Sequence, residues 1–442
     1  MSKRQIYRPR PISGFPEWLP EQRLVEQRWM DHIRTVFESY GFCSIETPSV
    51  EELDVLTAKG EVDKEIYTIQ RLQADEADKS EARLALHFDV TVPFARYVAQ
   101  HFNDLDFPFK RYQMQRVWRG ERPQDGRFRE FYQCDIDVIN VDHLPLHFDA
   151  EIPAVAMKCV AGLNIGPIRL HVSNRKILDG YLAGLGIEDR VPVIRILDRF
   201  DKIGSDGVTA ALEAELGFDA DSAAKCLALA SIQTTDGGFA DQVRGLGVEH
   251  DTLTEGLEEL SFVIDYLNRA LPGADILADL SIARGFDYYT GTVYEGRFTE
   301  HPGFGSVLAG GRYDDLAGSY INRKLPGVGI SIGLTRIFGK MVSEGTLPIG
   351  AKTPTEILVV LPTEDRRAMV ADTARQLRDR GHKVEMFHGP VKIARQIAYA
   401  SKKGIPYVWF PPFDDDQHHE VKDMTSGVQQ AADPASWTMP RA

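Results

Sequence analysis

The sequence is short of cysteine: Cys43, Cys134, Cys159 and Cys226 lie far apart, and no C-x-x-C pair occurs. That spacing excludes a zinc ribbon and a disulfide scaffold and fits reduced thiols in a cytoplasmic setting. Long apolar runs are missing too. Stretches such as Ile276–Leu280 and Ile357–Pro362 fall far below the roughly 18 residues of a membrane span. The Lys/Arg-bearing N-terminus leads into no apolar signal segment, so neither membrane insertion nor export is expected. Positive charge is scarce overall: 51 Lys+Arg against 65 Asp+Glu leave a net charge of −14, which speaks against a protein that coats nucleic acid electrostatically.

What is present is a chain of 442 residues whose 43% hydrophobic and 26% charged composition is ordinary for globular domains. Its length suggests two to four domains. The charge is unevenly spread. Residues 110–129 carry seven Lys/Arg against two Asp/Glu, and residues 351–442 are balanced at 13 against 12. A polyanion can therefore be met at particular places without a basic protein overall.

Periodicity divides the chain. Val25, Trp29, Ile33, Val36, Phe37 and Tyr40 at helical spacing predict a helix over 21–40, followed by a strand at Phe42–Thr47. Alternation at Arg83–Val90 predicts a strand, with a helix at Phe94–Gln100. Residues 109–119 and 128–140 alternate as two long antiparallel strands joined by a charged loop containing Pro123 and Gly126. Arginine inside the strands reads equally as a ligand site or as a solvated, cross-strand-paired hairpin. Residues 178–270 turn Ala/Leu/Glu-rich and read as an inserted helical unit. Strands at Ala278–Ala283 and Tyr288–Phe298 follow, then a turn at Gly310–Asp314, and a Gly-rich segment 327–333 running into a helix at Leu334–Val342. Beyond a Gly/Pro-rich linker, strands and helices alternate over about 90 residues as a compact α/β unit. That unit holds neither G-x-G-x-x-G nor a Walker A loop. The whole reads as α+β followed by α/β.

Arginines fed by separate elements suit polyphosphate, because each guanidinium offers a fixed fork of donors. With Asp89, Asp135 and Asp137 nearby in the pattern, a site of both signs suits a zwitterion beside a nucleotide. The ordered motifs carry a sharper signal. Arg116–Asp137, RVWRGERPQDGRFREFYQCDID, resembles motif 2 of class II aminoacyl-tRNA synthetases, and Gly327–Arg336 resembles motif 3. Residues 21–48, ending in Pro48, resemble motif 1, a dimer-interface element, and Leu86–Pro93 looks like a further substrate-side motif. Arg284–Gly291, RGFDYYTG, looks like the histidine-binding signature of the histidyl-tRNA synthetase family.

The resemblance covers nearly the whole chain. It implies an antiparallel-sheet class II catalytic core over 1–177 and 271–345, a helical insertion over 178–270, and an α/β anticodon-binding domain over 346–442. The implied reaction joins L-histidine to ATP as histidyl-adenylate, then to the 3′ end of tRNA(His). Mg²⁺ accompanies ATP, no metal is tightly bound, and the protein acts as a cytoplasmic homodimer. By the resemblance Arg119 holds the α-phosphate and the substrate carboxylate, and Arg284 stabilises the other side of the transition state. Arg127 reaches the γ-phosphate, Glu121 lies near the adenine, and Phe131 and Arg336 sandwich it. Asp89, Thr91, Gln133, Asp137, Arg284, Tyr288, Tyr289 and Tyr313 form the histidine pocket; Tyr288 reads equally as a packed ring. Arg122 and Gln124 approach the tRNA acceptor end.

Four positions depart from the family pattern: His87 stands where arginine is usual, Gly120 where His or Arg is common, and Asp89 and Asp137 are the shorter acid. Two rivals share the core: a non-catalytic regulatory subunit of ATP phosphoribosyltransferase, which usually lacks the C-terminal domain, and a class II synthetase for another amino acid. Residues 356–442 and Arg336 weigh against the first, and Arg284–Gly291 against both.

Overall fold

The computed structural model describes residues 7–57, 65–72, 83–124, 126–282, 289–314, 317–318, 320–414 and 416–440. Arg284 and Tyr288 lie outside the described residues. The chain divides into two compact units, residues 1–16 with 29–345 and residues 17–28 with 346–442.

The first unit is built on a nine-stranded sheet: β1 (Cys43–Ser44), β2 (Phe109–Trp118), β3 (Glu130–Ile139), β4 (Ile168–Asn174), β5 (Gln233–Thr234), β6 (Asp275–Asp279), β7 (Tyr289–Phe298), β8 (Ser306–Tyr313) and β9 (Gly327–Ile332). Their order across the sheet is β1-β2-β3-β9-β8-β7-β4-β6-β5. Pairing from β2 to β4 is antiparallel throughout, and β1·β2 and β4·β6 are parallel.

The period-2 pattern sorts the two faces. On the back, Cys134, Ile136 and Val138 of β3 and Val328, Ile330 and Ile332 of β9 are buried. There α3 (His147–Ala161) packs against β9 and α6 (Leu334–Ser343) against β3. On the front, the same strands present polar and small residues. Helix α1 (Pro20–Ser39) buries Trp29, Ile33 and Phe37, with Trp29 edge-on to Phe338 of α6 at 5.4 Å. Helix α2 (Thr91–Gln100) seats Phe94, Ala95 and Val98 against Ile139 and Tyr313.

Two sequence expectations are corrected. Residues 310–313 do not form a turn but complete β8, because Arg312 reaches the back face and is tied there to Asp149 of α3 at 2.6 Å. The strand expected at Ala278–Ala283 ends at Asp279, whose carboxylate accepts the Ser281 N–H at 3.0 Å and turns the chain. Within residues 178–270 the four helices from 190 to 245 follow α4 (Arg175–Gly184), and α5 (Asp251–Ala270) then packs on α3, α4 and β4. The two flanks of that segment thus belong to the sheet's helical cover.

The second unit carries β10 (Ile357–Val359), β11 (Val384–Met386), β12 (Tyr407–Phe410), β13 (Glu420–Asp423) and β14 (Gln429–Ala431), in the order β11-β10-β12-β13-β14. The first three are parallel and the last two antiparallel, so the sheet is mixed. Its β-α-β crossovers run through α7 (Arg367–Asp379) and α8 (Ile393–Lys403), over a core of Leu358, Val359, Leu377, Ala400 and Trp409.

Candidate active site

The front face of β3, β9 and β8 floors a cavity of about 310 Å³. Alternation along β3 aims Phe131, Gln133, Asp135 and Asp137 into it. In register, Asp137 faces Arg111 of β2 and Gly329 of β9, and Asp135 faces Gln113 and Ser331. The glycine is required by close approach, since a Cβ at 329 would lie 2.0 Å from Asp137 Oδ1.

One end is acidic and buried. Tyr313 donates its hydroxyl to Asp137 Oδ1 at 2.9 Å, and the other carboxylate oxygen lies 2.6 Å from the Arg111 guanidinium. Arg111 is fully buried, its guanidinium 4.3 Å from the Phe94 ring. Burial pushes the Asp137 carboxyl up to about 6, with Arg111 and the Tyr313 hydrogen bond opposing. Asp135 is pushed up to about 7 for the same reason, opposed by Arg111 and Ser331 and reinforced by Asp137 and Asp89. Asp89 is also raised by burial, and its Oδ1 accepts the Val92 N–H at 3.1 Å at the start of α2. Thr91 and Tyr289 line the same end.

The other end is cationic. Arg119 Nε donates to the Phe88 carbonyl at 3.0 Å, its guanidinium lies 5.3 Å from the Phe131 ring, and Glu121 stands 3.9 Å away. Arg127 donates to Glu121 at 3.1 Å. The loop between β2 and β3 closes on paired Gln124 and Arg127 backbone bonds, with Gly126 at φ +69°. A Cβ there would lie 2.5 Å from the Phe304 ring. Arg336 of α6 donates to the Phe304 carbonyl and lies 5.1 Å from the same ring.

Eleven residues expected from the sequence therefore meet at one cavity: Asp89, Thr91, Arg119, Glu121, Arg127, Phe131, Gln133, Asp137, Tyr289, Tyr313 and Arg336. Arg122 and Gln124 are exposed on the loop and do not line it, and Arg284 and Tyr288 fall outside the described residues. Sequence reasoning named Asp135 among the acidic residues of the site without giving it a role, and did not assign Ser331, Arg111 or Phe304. Ser331 lay in a segment read only as Gly-rich; Phe304, a lone aromatic, carried no signal. His87 supplies no charge. It is buried and stacked on Trp118 at 5.6 Å, its Nε2 is 2.7 Å from the Arg116 carbonyl, and burial lowers its pKa.

The chain is similar to known proteins along nearly its whole length. A family profile for histidyl-tRNA synthetase matches residues 14–337. The chain belongs to the histidyl-tRNA synthetase family. A histidine–tRNA ligase of Thermobifida fusca is 61% identical over 437 residues, covering 99% of this chain and 100% of its own. That of Micrococcus luteus is 49% identical, covering 97% and 96%. The crystal structure of histidyl-tRNA synthetase from Nostoc sp. PCC 7120 superposes with a TM-score of 0.87 at 37% identity over 98% of both chains. A Bacillus halodurans protein described as an ATP phosphoribosyltransferase regulatory subunit/histidyl-tRNA synthetase shares the fold, with a TM-score of 0.74 at 20% identity over 92% of this chain and 99% of that one. The profile match spans every residue that lines the cavity.

Proposed function

We propose that the protein is a histidine–tRNA ligase that activates L-histidine with ATP in this cavity and transfers it to the 3′ end of tRNA(His), releasing AMP and pyrophosphate. The observation that carries the reading is the joining of two opposite chemistries: Arg119, Arg127 and Arg336 at one end, Asp137 with Tyr313 at the other, and Gln133 between.

In the first step a histidine carboxylate oxygen attacks the α-phosphorus of ATP, and the bond to the bridging oxygen breaks to release pyrophosphate. Such chemistry needs in-line positioning and charge stabilisation more than a protein nucleophile. Arg119, fixed by the Phe88 carbonyl, holds the α-phosphate and the carboxylate together. Arg127 reaches the γ-phosphate, and Arg336 and Phe131 take the two faces of the adenine, with Glu121 beside it. Arg284 serves the transition state from the opposite side. Mg²⁺ enters with ATP on its phosphate oxygens.

Asp137 and Tyr313 read the imidazole, while Asp89, Thr91 and Gln133 hold the ammonium; Tyr288 and Tyr289 complete the pocket. A site built on hydrogen bonds to both ring nitrogens rejects side chains lacking them, because its buried polar groups are then left unpaired. Residues 1–177 with 271–345 form the catalytic core, 178–270 the helical insertion and 346–442 the anticodon-binding domain. Arg122 and Gln124 meet the acceptor end. The enzyme works in the cytoplasm as a homodimer.

ATP–pyrophosphate exchange with each amino acid offered separately tests the reading. Exchange with histidine alone is expected. Exchange with a different amino acid overturns the pocket assignment, and exchange with none overturns the activity.

A further inference from the structure

Phe304 ends a short turn, Pro302–Phe304, between β7 and β8, and it is not among the residues that line the cavity, whereas Arg336 is. The turn nevertheless holds that arginine twice. The Phe304 carbonyl accepts from Arg336 Nη2, and the Phe304 ring stands 5.1 Å from the guanidinium. Gly305 permits the approach: it sits at φ +80°, and a Cβ there would lie 2.9 Å from Arg336 Nη2. The ring is fixed in its turn. Lys340, one turn further along α6, is buried and paired with Glu344, and its ammonium lies 5.4 Å from the Phe304 ring and 5.5 Å from the Phe298 ring. Phe298 meets Phe304 edge-on at 5.9 Å, and Gly126 of the β2–β3 loop packs so closely on the ring that no Cβ fits between them.

We infer that Phe304 is a positioning residue whose ring and carbonyl hold the Arg336 guanidinium at the cavity wall, in place for the adenine of ATP. The inference rests on the proposed stacking of the base on Arg336. A long arginine side chain spreads over many rotamers, and a base that meets it loose must order it on binding. Here the turn does the ordering before ATP arrives. The guanidinium is planar, so it can keep one face on an aromatic ring and offer the other to the base. Phe304 thus serves nucleotide binding without touching the nucleotide.

The test measures, on the full-length protein without histidine, calorimetric Kd values for ATP and for inorganic tripolyphosphate, and separately the histidine KM in ATP–pyrophosphate exchange. Phe304→Leu keeps apolar bulk but removes the ring, and is expected to weaken ATP about 3- to 10-fold, the loss of one cation–π contact. The tripolyphosphate Kd, the histidine KM and kcat stay within about twofold, because the lost contact orients the base in ground and transition state alike. Gly305→Ala crowds Arg336 from the same turn and shows the same pattern; it decides if Phe304→Leu does not fold. In an Arg336→Ala background, Phe304→Leu changes the ATP Kd by less than about twofold, since the two residues act as one unit. Where that background binds ATP too weakly to measure, the tripolyphosphate comparison decides. An unchanged ATP Kd in Phe304→Leu overturns the inference. So does a tripolyphosphate Kd that rises in step with that of ATP, which reads a displaced β2–β3 loop, or an undiminished effect without Arg336, which reads direct contact with the base. Wild-type protein that binds ATP but shows no histidine-dependent exchange would overturn the proposed function and leave the role of Phe304 standing.

Discussion

Asp137 shows how a residue's surroundings decide its chemistry. It is buried, held by Tyr313 and balanced by a fully buried arginine, and its carboxyl is raised to about 6; Asp135 is raised to about 7. The native state therefore keeps protons that the unfolded chain has released above the ordinary value of 3.8. By linkage these two carboxyls lower stability as pH rises from about 4 to about 7, and the effect levels off above that. Substrate binding has the opposite sign, because a cationic or N–H donor is held best by the ionised carboxylates. The kcat/KM for histidine is expected to rise from pH 5.5 to 8, and Asp137→Asn to lower it at least about tenfold at pH 8 with a smaller deficit at pH 5.5. Free histidine titrates in the same range, so the wild-type to variant ratio is the quantity to plot. A ratio flat across pH refutes a titrating Asp137. Arg111 was visible in the sequence only as one of seven basic residues around the hairpin. Its burial follows from facing Asp137 in register, a long-range pairing that composition does not carry.

At the scale of elements, β9 was read in the sequence only as a Gly-rich segment running into a helix. Its Gly-Val-Gly-Ile-Ser-Ile pattern puts every small residue on the cavity face and every β-branched one on the helical face. Gly329→Ala is expected to raise the histidine KM at least about tenfold while leaving the ATP KM within about threefold, since the new Cβ displaces Asp137 but not the arginines. An equal loss for both substrates would mean that the strand itself had shifted. The hairpin of β2 and β3 was legible from its period-2 alternation. β8 was not, because Gly310-Gly311 has the composition of a turn and only the tertiary pairing of Arg312 with Asp149 makes it a strand. That ion pair is buried, and Thr292 and Tyr294 add hydrogen bonds to Asp149. Arg312→Ala leaves the buried carboxylate without its counter-charge and should cost about 3–5 kcal/mol in urea unfolding. A cost below about 1 kcal/mol would show that water reaches Asp149 and that the pair does not anchor α3 to the sheet.

At the scale of the whole molecule, the division of labour is read from charge and connectivity. The cationic density lies in the motif 2 region of the first unit, whereas residues 351–442 are charge-balanced. A balanced domain suits readout of unstacked bases by shape and edge contacts, with little of the salt dependence that phosphate neutralisation brings. The second unit is not simply the C-terminal segment, however, because residues 17–28 at the start of α1 group with it. That grouping was invisible in a linear reading, where the helix from 21 to 40 is one continuous period. Truncation after Gly345 removes the β10–β14 sheet but leaves the cavity's lining residues in place. Pyrophosphate exchange by the truncated protein should stay within about tenfold of wild type while tRNA charging falls at least about a hundredfold, the two losses differing by about 1.4 kcal/mol or more. Equal loss of exchange and charging would make residues 346–442 a support for the catalytic unit, with no separate share in recognising the nucleic acid.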